Sequence, residues 1–348
     1  MGTDEGARLR DYSGEGRAWL FLRLREHHGT DEPIRPRPLV SARPPTPRFP
    51  GVTADCHTMA VSASEPSRRT RGDLCPGVLR PWPADDGALV RLRVPGGRIA
   101  AASLAALGEL TTRFGDGTVH VTSRANLQLR ALPSVDGSLP DEVVAAIIAT
   151  GLLPTPTHEL VRNILASPLT GLIGGRIDLR PVTDRLDAGL RDDPALAGLS
   201  GRFLFVLDDG RGDLMDRPGD LGLTALDHAA VQLRVGEDWS AVVPIEEAVD
   251  RLVELACAFA DARGAGTDAP WHVRELTAPL SATRPGDSRL PSLAPALPYG
   301  PVASSARRIE HVEAPGGILD RALIDRLTGG DFAELVVTPW RGVIAVRA

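Results

Sequence analysis

Thr122-Ser123-Arg124-Ala125-Asn126-Leu127-Gln128-Leu129-Arg130 closes a pattern of turn, helix and strand that this chain contains twice. The first copy begins at Pro95-Gly96-Gly97, and the second runs from Pro315-Gly316-Gly317 to Thr338-Pro339-Trp340-Arg341-Gly342. Proline and threonine are 27 residues apart in the first copy (95 and 122) and 23 in the second (315 and 338). Two related halves predict a site where they meet, and an arginine in each closing segment predicts an anionic ligand there.

The segments around the two copies alternate between strand and helix patterns. Apolar residues that recur every second position predict strands, and those that recur three and four apart predict helices. The predicted strands are Ala88–Val94, Thr118–Thr122, Asn126–Leu132, Phe203–Asp208, Gly222–Ala225, Ala229–Val235, Arg308–Glu313, Glu334–Thr338 and Val343–Arg347. The predicted helices are Ala101–Phe114, Leu139–Thr150, Ile245–Arg263 and Ile318–Leu327. This order predicts an α+β protein with largely antiparallel sheets.

Composition and the repeat divide the chain into regions. Residues 1–72 are rich in proline, arginine and glycine and lack periodicity, which predicts a disordered extension or a wrongly assigned start. Residues 73–136 and 301–348 are the two repeated halves. Residues 137–280 are expected to form an α/β lobe between them, and residues 281–300 are expected to be a linker.

The composition argues against several classes of function. The 348-residue chain has a formal net charge of −6, which argues against general binding of nucleic acid. It has no run of about 18 apolar residues and no signal-peptide layout, so we expect a cytoplasmic protein that does not enter membranes. All 39 basic residues are arginine. Every cationic role therefore falls to a guanidinium, which grips carboxylates in bidentate fashion.

Cysteine and histidine spacing predicts no metal site. Cys56, Cys75 and Cys257 are widely separated, and no two of the eight histidines stand at positions i and i+4. Buried thiols are the expected state of these cysteines. The acidic stretch 208–220 lacks the spacing of a calcium loop, which favours a polar hairpin loop.

A strand over Asn126–Leu132 would place Asn126, Gln128 and Arg130 on one face and its leucines on the other. Two amides and a guanidinium offer donors to carboxylates, and Arg124 at the entry of the strand adds another. The same alternation also fits a solvated strand face. The arginine of the second copy, Arg341, favours the binding interpretation.

Two further segments carry candidate residues. Arg162-Asn163 precedes a loop whose glycines would allow the backbone to approach a flat ligand. An ordinary surface loop is the alternative. Arg202 opens the predicted strand Phe203–Asp208, where it either faces the ligand or only caps the strand.

Together these segments resemble the nitrite/sulfite reductase superfamily, and within it the precorrin-3B synthase family. The resemblance spans about residues 73–348, and the Thr-Ser-Arg-Ala-Asn-Leu-Gln sequence is its most specific part. The segments that carry it are Cys75-Pro76-Gly77, Val90-Arg91-Leu92-Arg93-Val94-Pro95-Gly96-Gly97, Thr122 to Arg130, Arg162-Asn163-Ile164 and Thr338-Pro339-Trp340-Arg341-Gly342.

The resemblance implies duplicated ferredoxin-like half-domains that flank an α/β lobe binding a haem or another tetrapyrrole. In the family, arginines hold siroheme through its carboxylates, beside a 4Fe–4S cluster. The positions that face the haem and its anionic ligand fall on Arg124 and Arg162. Arg202 falls near a basic position that precedes an aromatic residue, and a further basic residue of some members is here Leu204. Arg124, Arg162 and Arg202 are the expected catalytic residues. The expected cofactor contacts are Asn126, Gln128, Arg130, Asn163 and Arg341, and no residue is assigned to a metal.

The resemblance also implies an oxidoreductase of cobalamin biosynthesis, which hydroxylates precorrin-3A with oxygen and forms a lactone. The cluster cysteines of the family follow the Thr-Pro-Trp-Arg-Gly segment, and none of the three cysteines here matches them. The cluster-bearing lobe is therefore expected to be missing from this chain. Expected partners are a tetrapyrrole and a separate cluster-bearing polypeptide or electron donor. The alternatives are a tetrapyrrole-binding protein without redox chemistry, and a scaffold in which the repeat is purely structural.

Overall fold

The structure is a computed structural model that describes residues 72–304 and 307–347. The predicted extension lies outside the described residues except for Gly72. The strands are β1 (Trp82–Ala84), β2 (Gly87–Leu92), β3 (Arg98–Ile99), β4 (Val119–Val121), β5 (Leu127–Leu132), β6 (Ile164–Ala166), β7 (Phe205–Asp208), β8 (Leu221–Ala225), β9 (Ala230–Val235), β10 (Asp238–Pro244), β11 (Gly300–Val302), β12 (Ile309–Glu313), β13 (Ile318–Leu319), β14 (Phe332–Val337) and β15 (Gly342–Arg347). The helices are α1 (Ala101–Phe114), α2 (Asp141–Ala149), α3 (Arg180–Asp192), α4 (Ile245–Arg263) and α5 (Arg321–Thr328). In the part of the chain that the structure describes, no helix has the length and apolar character needed to span a membrane.

The two copies of the repeat form two five-stranded antiparallel sheets of the same design. The first has the order β1-β2-β5-β4-β13 and the second the order β11-β12-β15-β14-β3. The last strand of each sheet comes from the other copy, because β13 pairs with β4 and β3 pairs with β14. The predicted duplication is confirmed, and each copy completes the sheet of its counterpart.

The two Pro-Gly-Gly turns adopt the same backbone conformation. Gly96 and Gly316 have φ values of 63° and 64°, and the following Gly97 and Gly317 have values of 73° and 79°. This left-handed region is open to glycine at little cost. A Cβ on Gly97 would lie 2.2 Å from the carbonyl oxygen of Val337, so the turn can lie against the end of β14 only without a side chain.

The two half-domains share one hydrophobic core. Helix α1 buries Leu104, Leu107 and Leu110, whose spacing of three residues keeps them on one face. Helix α5 buries Ile324 and Leu327, and the core joins both helices to the inner faces of the two sheets. The half-domains therefore form one packed unit.

The central lobe has a sheet of order β10-β9-β8-β7-β6, in which β6, β7 and β8 are parallel. The expectation of largely antiparallel sheets is correct for the half-domains and wrong for these three strands. Parallel neighbours need a crossover connection, and α3 lies in the connection between β6 and β7. Along β7, Phe205 and Leu207 join the core under α3 and α4, whereas Val206 joins the core of the half-domains. The boundaries of residues 137–280 and 281–300 stay predictions.

Candidate functional site

The segments that close the two copies form turns with the same hydrogen bonds. The Asn126 N–H donates to Thr122 Oγ1 at 3.1 Å, and the Gly342 N–H donates to Thr338 Oγ1 at 3.2 Å. In each turn the threonine N–H also donates to the carbonyl oxygen of the fourth residue after it, at 2.9 Å. These shared hydrogen bonds explain why threonine occurs at this place in both copies.

The register of the two turns shifts the expected arginine match by one residue. Ala125 and Arg341 are the residues with positive φ, at 55° and 61°. Arg341 therefore occupies the position of Ala125, and Trp340 occupies that of Arg124. Arg124 and Arg341 are therefore not structural equivalents. They stand at different positions of their turns, and Arg341 has a positive φ.

The first turn brings four predicted residues together at the junction with the central lobe. Arg124 Nη1 donates to the carbonyl oxygen of Arg202 at 3.2 Å, and Asn126 Nδ2 donates to Asn163 Oδ1 at 2.6 Å. Asn163 Nδ2 in turn donates to the carbonyl oxygen of Phe203 at 3.1 Å. Both asparagines are 1% exposed. The hydrogen bond between Asn126 and Asn163 therefore holds the first turn in place on its buried side, while Arg124 lies nearer the surface.

Arg202 lies on the exposed side of this junction. Its Cζ is 5.0 Å from the centroid of the Trp271 ring, and its Nε is 3.7 Å from Asp73 Oδ1. Asp73 Oδ2 also accepts hydrogen bonds from Ser200 Oγ and from the Gly201 N–H. Burial alone would raise the pKa of Asp73, but the hydrogen bonds it accepts outweigh burial and lower the pKa. The ionised carboxylate thus orients the loop that carries Arg202.

The guanidinium of Arg162 is occupied by an internal ion pair. Its Nε and Nη2 donate to the two carboxylate oxygens of Asp187 on α3, at 2.6 and 3.1 Å, and the side chain is 8% exposed. Arg191 Nε lies 3.3 Å from the same carboxylate. Arg162 is adjacent in sequence to Asn163. Its guanidinium, however, forms an ion pair that links the entry of β6 to α3. Its expected catalytic role stays a prediction.

Gln128 and Arg130 occupy the predicted strand face but have partners within the protein. Gln128 Oε1 accepts a hydrogen bond from Arg91 Nη2 at 3.4 Å. Arg130 Nε and Nη2 donate to the two carboxylate oxygens of Asp86, at 3.0 and 3.2 Å. The hydrogen bond from Arg130 lowers the pKa of Asp86. Arg130 therefore lies towards the far end of β5, away from the first turn.

Arg341 lies against the second Pro-Gly-Gly turn. Its Nη1 donates to the carbonyl oxygen of Gly316 at 3.5 Å, and its Cδ lies beside Gly317. The carbonyl oxygen of Val121, just before the first turn, also lies close to Gly317. The second copy thus touches the first turn through a glycine, with Arg341 exposed next to it.

Arg93 on the continuation of β2 is a residue that sequence reasoning missed. It is 2% exposed, and its Nε and Nη2 donate to the carbonyl oxygens of Leu160 and Gly201, both at 3.2 Å. Its Nη1 is buried without a hydrogen-bond partner. Burial, followed by the charge of Arg91, lowers the pKa of Arg93 to about 10. The alternation Arg91-Leu92-Arg93 is the signal that could have found it, since it puts both arginines on one face of the strand.

Among the residues that the structure describes, guanidinium groups outnumber carboxylates at this junction. We call Arg91, Arg93, Arg124 and Arg202 the arginine cluster; the charges of Arg91 and Arg124 both act on Arg93. The carboxylates beside the cluster are Asp73 and Glu159, and burial raises the pKa of Glu159 despite hydrogen bonds from two backbone N–H groups. A surplus of guanidinium charge with part of it buried is suited to a carboxylate ligand.

The described cysteines do not fit an iron–sulfur cluster. Burial and the charge of Asp73 raise the pKa of the Cys75 thiol, which is the opposite of what a thiolate ligand needs. Cys257 on α4 donates a hydrogen bond from Sγ to Asp193 Oδ2 at 3.3 Å, and burial with this carboxylate raises its pKa to about 11. Neither thiol joins a group of three metal-ligating side chains among residues 72–304 and 307–347.

The acidic loop after β7 brings Asp208, Asp209 and Asp213 within ligand distance of one another. Arg211 Nη2 pairs with Asp209 at 2.7 Å, and Arg211 Nε lies 3.8 Å from Asp213. Asp208 accepts hydrogen bonds from three backbone N–H groups. These internal partners agree with the interpretation of this segment as a polar loop.

Part of the chain is similar to known proteins. Residues 83–136 match the family model of the nitrite/sulfite reductase ferredoxin-like half domain. The precorrin-3B synthase of a Sinorhizobium species is 31% identical over 146 residues, which are 40% of this chain and 29% of that protein. Residues 83–136 are therefore a half domain of the nitrite/sulfite reductase kind. The ferredoxin–nitrite reductase of Synechococcus elongatus is likewise similar to this chain, with 30% identity over 130 residues, 35% of this chain and 25% of that protein.

The fold of this chain is also found in a solved structure. The NirA protein of Mycobacterium tuberculosis superposes with a TM-score of 0.58 at 19% identity, covering 80% of this chain and 57% of that one. The predicted fold class, with half-domains of the nitrite/sulfite reductase kind, is therefore confirmed. The chain matches between a quarter and a third of the length of the precorrin-3B synthase and of the ferredoxin–nitrite reductase named above.

Proposed function

We propose that this chain binds a carboxylate-rich tetrapyrrole at the arginine cluster and acts as a precorrin-3B synthase-like oxidoreductase in cobalamin biosynthesis. The observation that carries the proposal is the surplus of guanidinium charge where the first half-domain meets the central lobe. A tetrapyrrole intermediate carries several carboxylates around one ring, and guanidinium groups pair with carboxylates through directed, charge-assisted hydrogen bonds. Residues 137–280 would supply the lobe on which the macrocycle lies.

The residues at the junction would divide the work of binding. Arg124 is half-buried and donates a hydrogen bond to a backbone carbonyl oxygen through Nη1, so the other donors of its guanidinium can serve a carboxylate. Arg202 would hold a second carboxylate, with the Trp271 ring beneath its guanidinium. The buried Asn126 and Asn163 amides would keep both arginines in position. Arg341 would approach from the second half-domain.

Siroheme fits the same arginine cluster, because its carboxylates need the same partners as those of a tetrapyrrole substrate. When bound, it would supply redox-active iron. The described cysteines do not fit the 4Fe–4S cluster of the family, and we derive no step through it. We therefore propose a separate cluster-bearing polypeptide or electron donor as the partner, and a cytoplasmic location for the complex.

The separate positions of Cys75 and Cys257 favour a second candidate function. A family member that clamps a tetrapyrrole without transferring electrons would need the arginines but not the thiols. Purification under anaerobic conditions, with visible spectroscopy and iron counting, separates the two functions. The measurement is repeated after addition of siroheme and then of a precorrin.

The oxidoreductase predicts a siroheme spectrum that changes when the electron donor and the precorrin are added. The binding protein predicts a bound tetrapyrrole with no such change. We expect no cluster absorbance after reconstitution of the chain alone with iron and sulfide, and a stoichiometric 4Fe–4S spectrum would contradict the assignment of the cysteines. Failure to bind either tetrapyrrole would remove both functions.

A further inference from the structure

Within residues 72–304 and 307–347, Arg93 has a charged donor without a hydrogen-bond partner. The side chain is 2% exposed, and Nη1 is buried with no hydrogen bond. A guanidinium has five N–H donors and no acceptor. Two of its nitrogens, Nε and Nη2, are used by the carbonyl oxygens of Leu160 and Gly201. Leaving a buried charged donor unpaired is costly, so such an atom calls for an explanation.

The surroundings of Arg93 point to an anion as the missing partner. The positive charges of Arg91 and Arg124 act on Arg93, and both lower its pKa. An acidic group whose charge also acts on Arg93 is Glu159, which already accepts hydrogen bonds from the N–H groups of Val78 and Leu79. Both partners of Arg93 are backbone carbonyl oxygens and carry no full charge. A water molecule would satisfy Nη1 but would not offset this charge.

We infer that Arg93 is a ligand-binding residue of the arginine cluster and that its Nη1 donates to one oxygen of a carboxylate of the bound acid. The inference rests on the proposed function, since the acid is the tetrapyrrole. Nη1 lies below the surface, whereas a macrocycle is flat and rigid. The group that reaches Nη1 is therefore a flexible carboxylate side arm of the ring, with Arg124 holding its outer part. Arg93 thereby fixes how the ring is rotated within the site.

The test uses the full chain and uroporphyrin III, whose ring carries eight flexible carboxylate arms, in a fluorescence titration. Arg93→Met removes the charge and keeps the length of the side chain. The matched control is Arg234→Met, because Arg234 also donates to backbone carbonyl oxygens, those of Met215 and Arg217, and lies in the central lobe. We expect Arg93→Met to weaken binding about ten- to a hundred-fold, the scale of one lost charged hydrogen bond. The control should bind like the wild type.

A second probe separates this inference from the proposed function. Sulfate is compared with chloride at equal ionic strength by thermal unfolding. If the wild type binds uroporphyrin III and Arg93→Met binds equally well, the inference is wrong and the proposed function stands. If the wild type ignores uroporphyrin III but is stabilised by sulfate through Arg93, the anion site stands and the tetrapyrrole is wrong. If neither probe binds, both are wrong.

Arg93→Met also removes two hydrogen bonds between the first half-domain and the central lobe, so the variant is first checked for a cooperative unfolding transition. If it does not fold, the wild-type complex decides the matter. A crystal structure with uroporphyrin III should place a carboxylate oxygen within hydrogen-bond distance of Nη1, about 2.7–3.2 Å. Carboxylates that all lie beyond contact distance would overturn the inference.

Discussion

Replacing Gly97 by alanine should destabilise the protein far more than the same change at Gly117. Both glycines have positive φ, 73° and 79°, so both substitutions carry the same cost of about 1–2 kcal/mol for a left-handed alanine. At Gly117 the new Cβ meets nothing within 4 Å. At Gly97 it would lie 2.2 Å from the carbonyl oxygen of Val337, which is backbone of the strand that pairs with β3.

The backbone of Val337 cannot retreat without opening the pairing of β3 with β14, so overpacking adds about 1–3 kcal/mol at Gly97. The expected loss of unfolding free energy is therefore about 2–5 kcal/mol at Gly97 and 1–2 kcal/mol at Gly117. Gly317 supplies an intermediate case, because its Cβ would lie 3.1 Å from the carbonyl oxygen of Val121.

Urea unfolding followed by circular dichroism measures all three variants, and equal slopes against urea concentration show that the same structure unfolds. The predicted order of the loss is Gly97→Ala, then Gly317→Ala, then Gly117→Ala. Equal losses at Gly97 and Gly117 would refute the reasoning, because they would mean that the first Pro-Gly-Gly turn does not lie against β14. The strand exchange between the half-domains would then need revision as well.

Three further predictions concern charged groups. Arg124→Ala should weaken uroporphyrin III binding by about 1–3 kcal/mol, the scale of lost charged hydrogen bonds, and unchanged affinity in the fluorescence titration would remove Arg124 from the site. Arg162→Ala should cost about 2–4 kcal/mol of unfolding free energy in urea, because the half-buried carboxylate of Asp187 loses its bidentate partner and keeps only Arg191 beside it. Arg162→Met with Asp187→Asn should recover part of that loss, and no recovery would contradict the ion pair. Burial raises the pKa of Asp213 to about 7. The folded chain then holds a proton that the unfolded chain releases, so stability should fall between pH of about 4 and 7 by up to about 1.4 kcal/mol per unit, and Asp213→Asn should abolish that fall in urea titrations at several pH values.

Local sequence signals account for much of the fold. The helices predicted over Ala101–Phe114 and Ile245–Arg263 have the observed bounds, because each carries a long apolar stripe and a clear end. The repeat was visible for the same reason, since its glycines and threonines make hydrogen bonds within a few residues. Such features depend on the neighbouring sequence alone.

Elements that depend on distant partners were not accessible in this way. Strands β3 and β13 have two residues each, too few to show a period, and they exist because the other half-domain offers an open edge. Helix α3 buries Val182, Leu186 and Leu190 in a segment otherwise dominated by charged residues. Its place is set by the parallel strands on which it packs, and the sequence reveals neither their order nor their direction.

The same limit applies to the candidate site. The sequence singled out arginines as candidate site residues, but it could not show that Asp187 neutralises Arg162 or that Asp86 neutralises Arg130. These carboxylates lie 25 and 44 residues away along the chain and meet their partners only in the folded state. In the same way, Arg93 looks like an ordinary strand residue until the loops carrying Leu160 and Gly201 close over it.

In a chain whose basic residues are all arginine, the kind of residue says little about where an anion binds. The partner of each guanidinium says more. Arg130 and Arg162 each hold both oxygens of a carboxylate, so an incoming acid would have to break an ion pair before it could bind them. Arg93 and Arg124 donate to backbone carbonyl oxygens, and an acid that binds them displaces no ionised partner. The free energy of a new charged hydrogen bond is then available for affinity, which is why we propose the anion site at these two arginines.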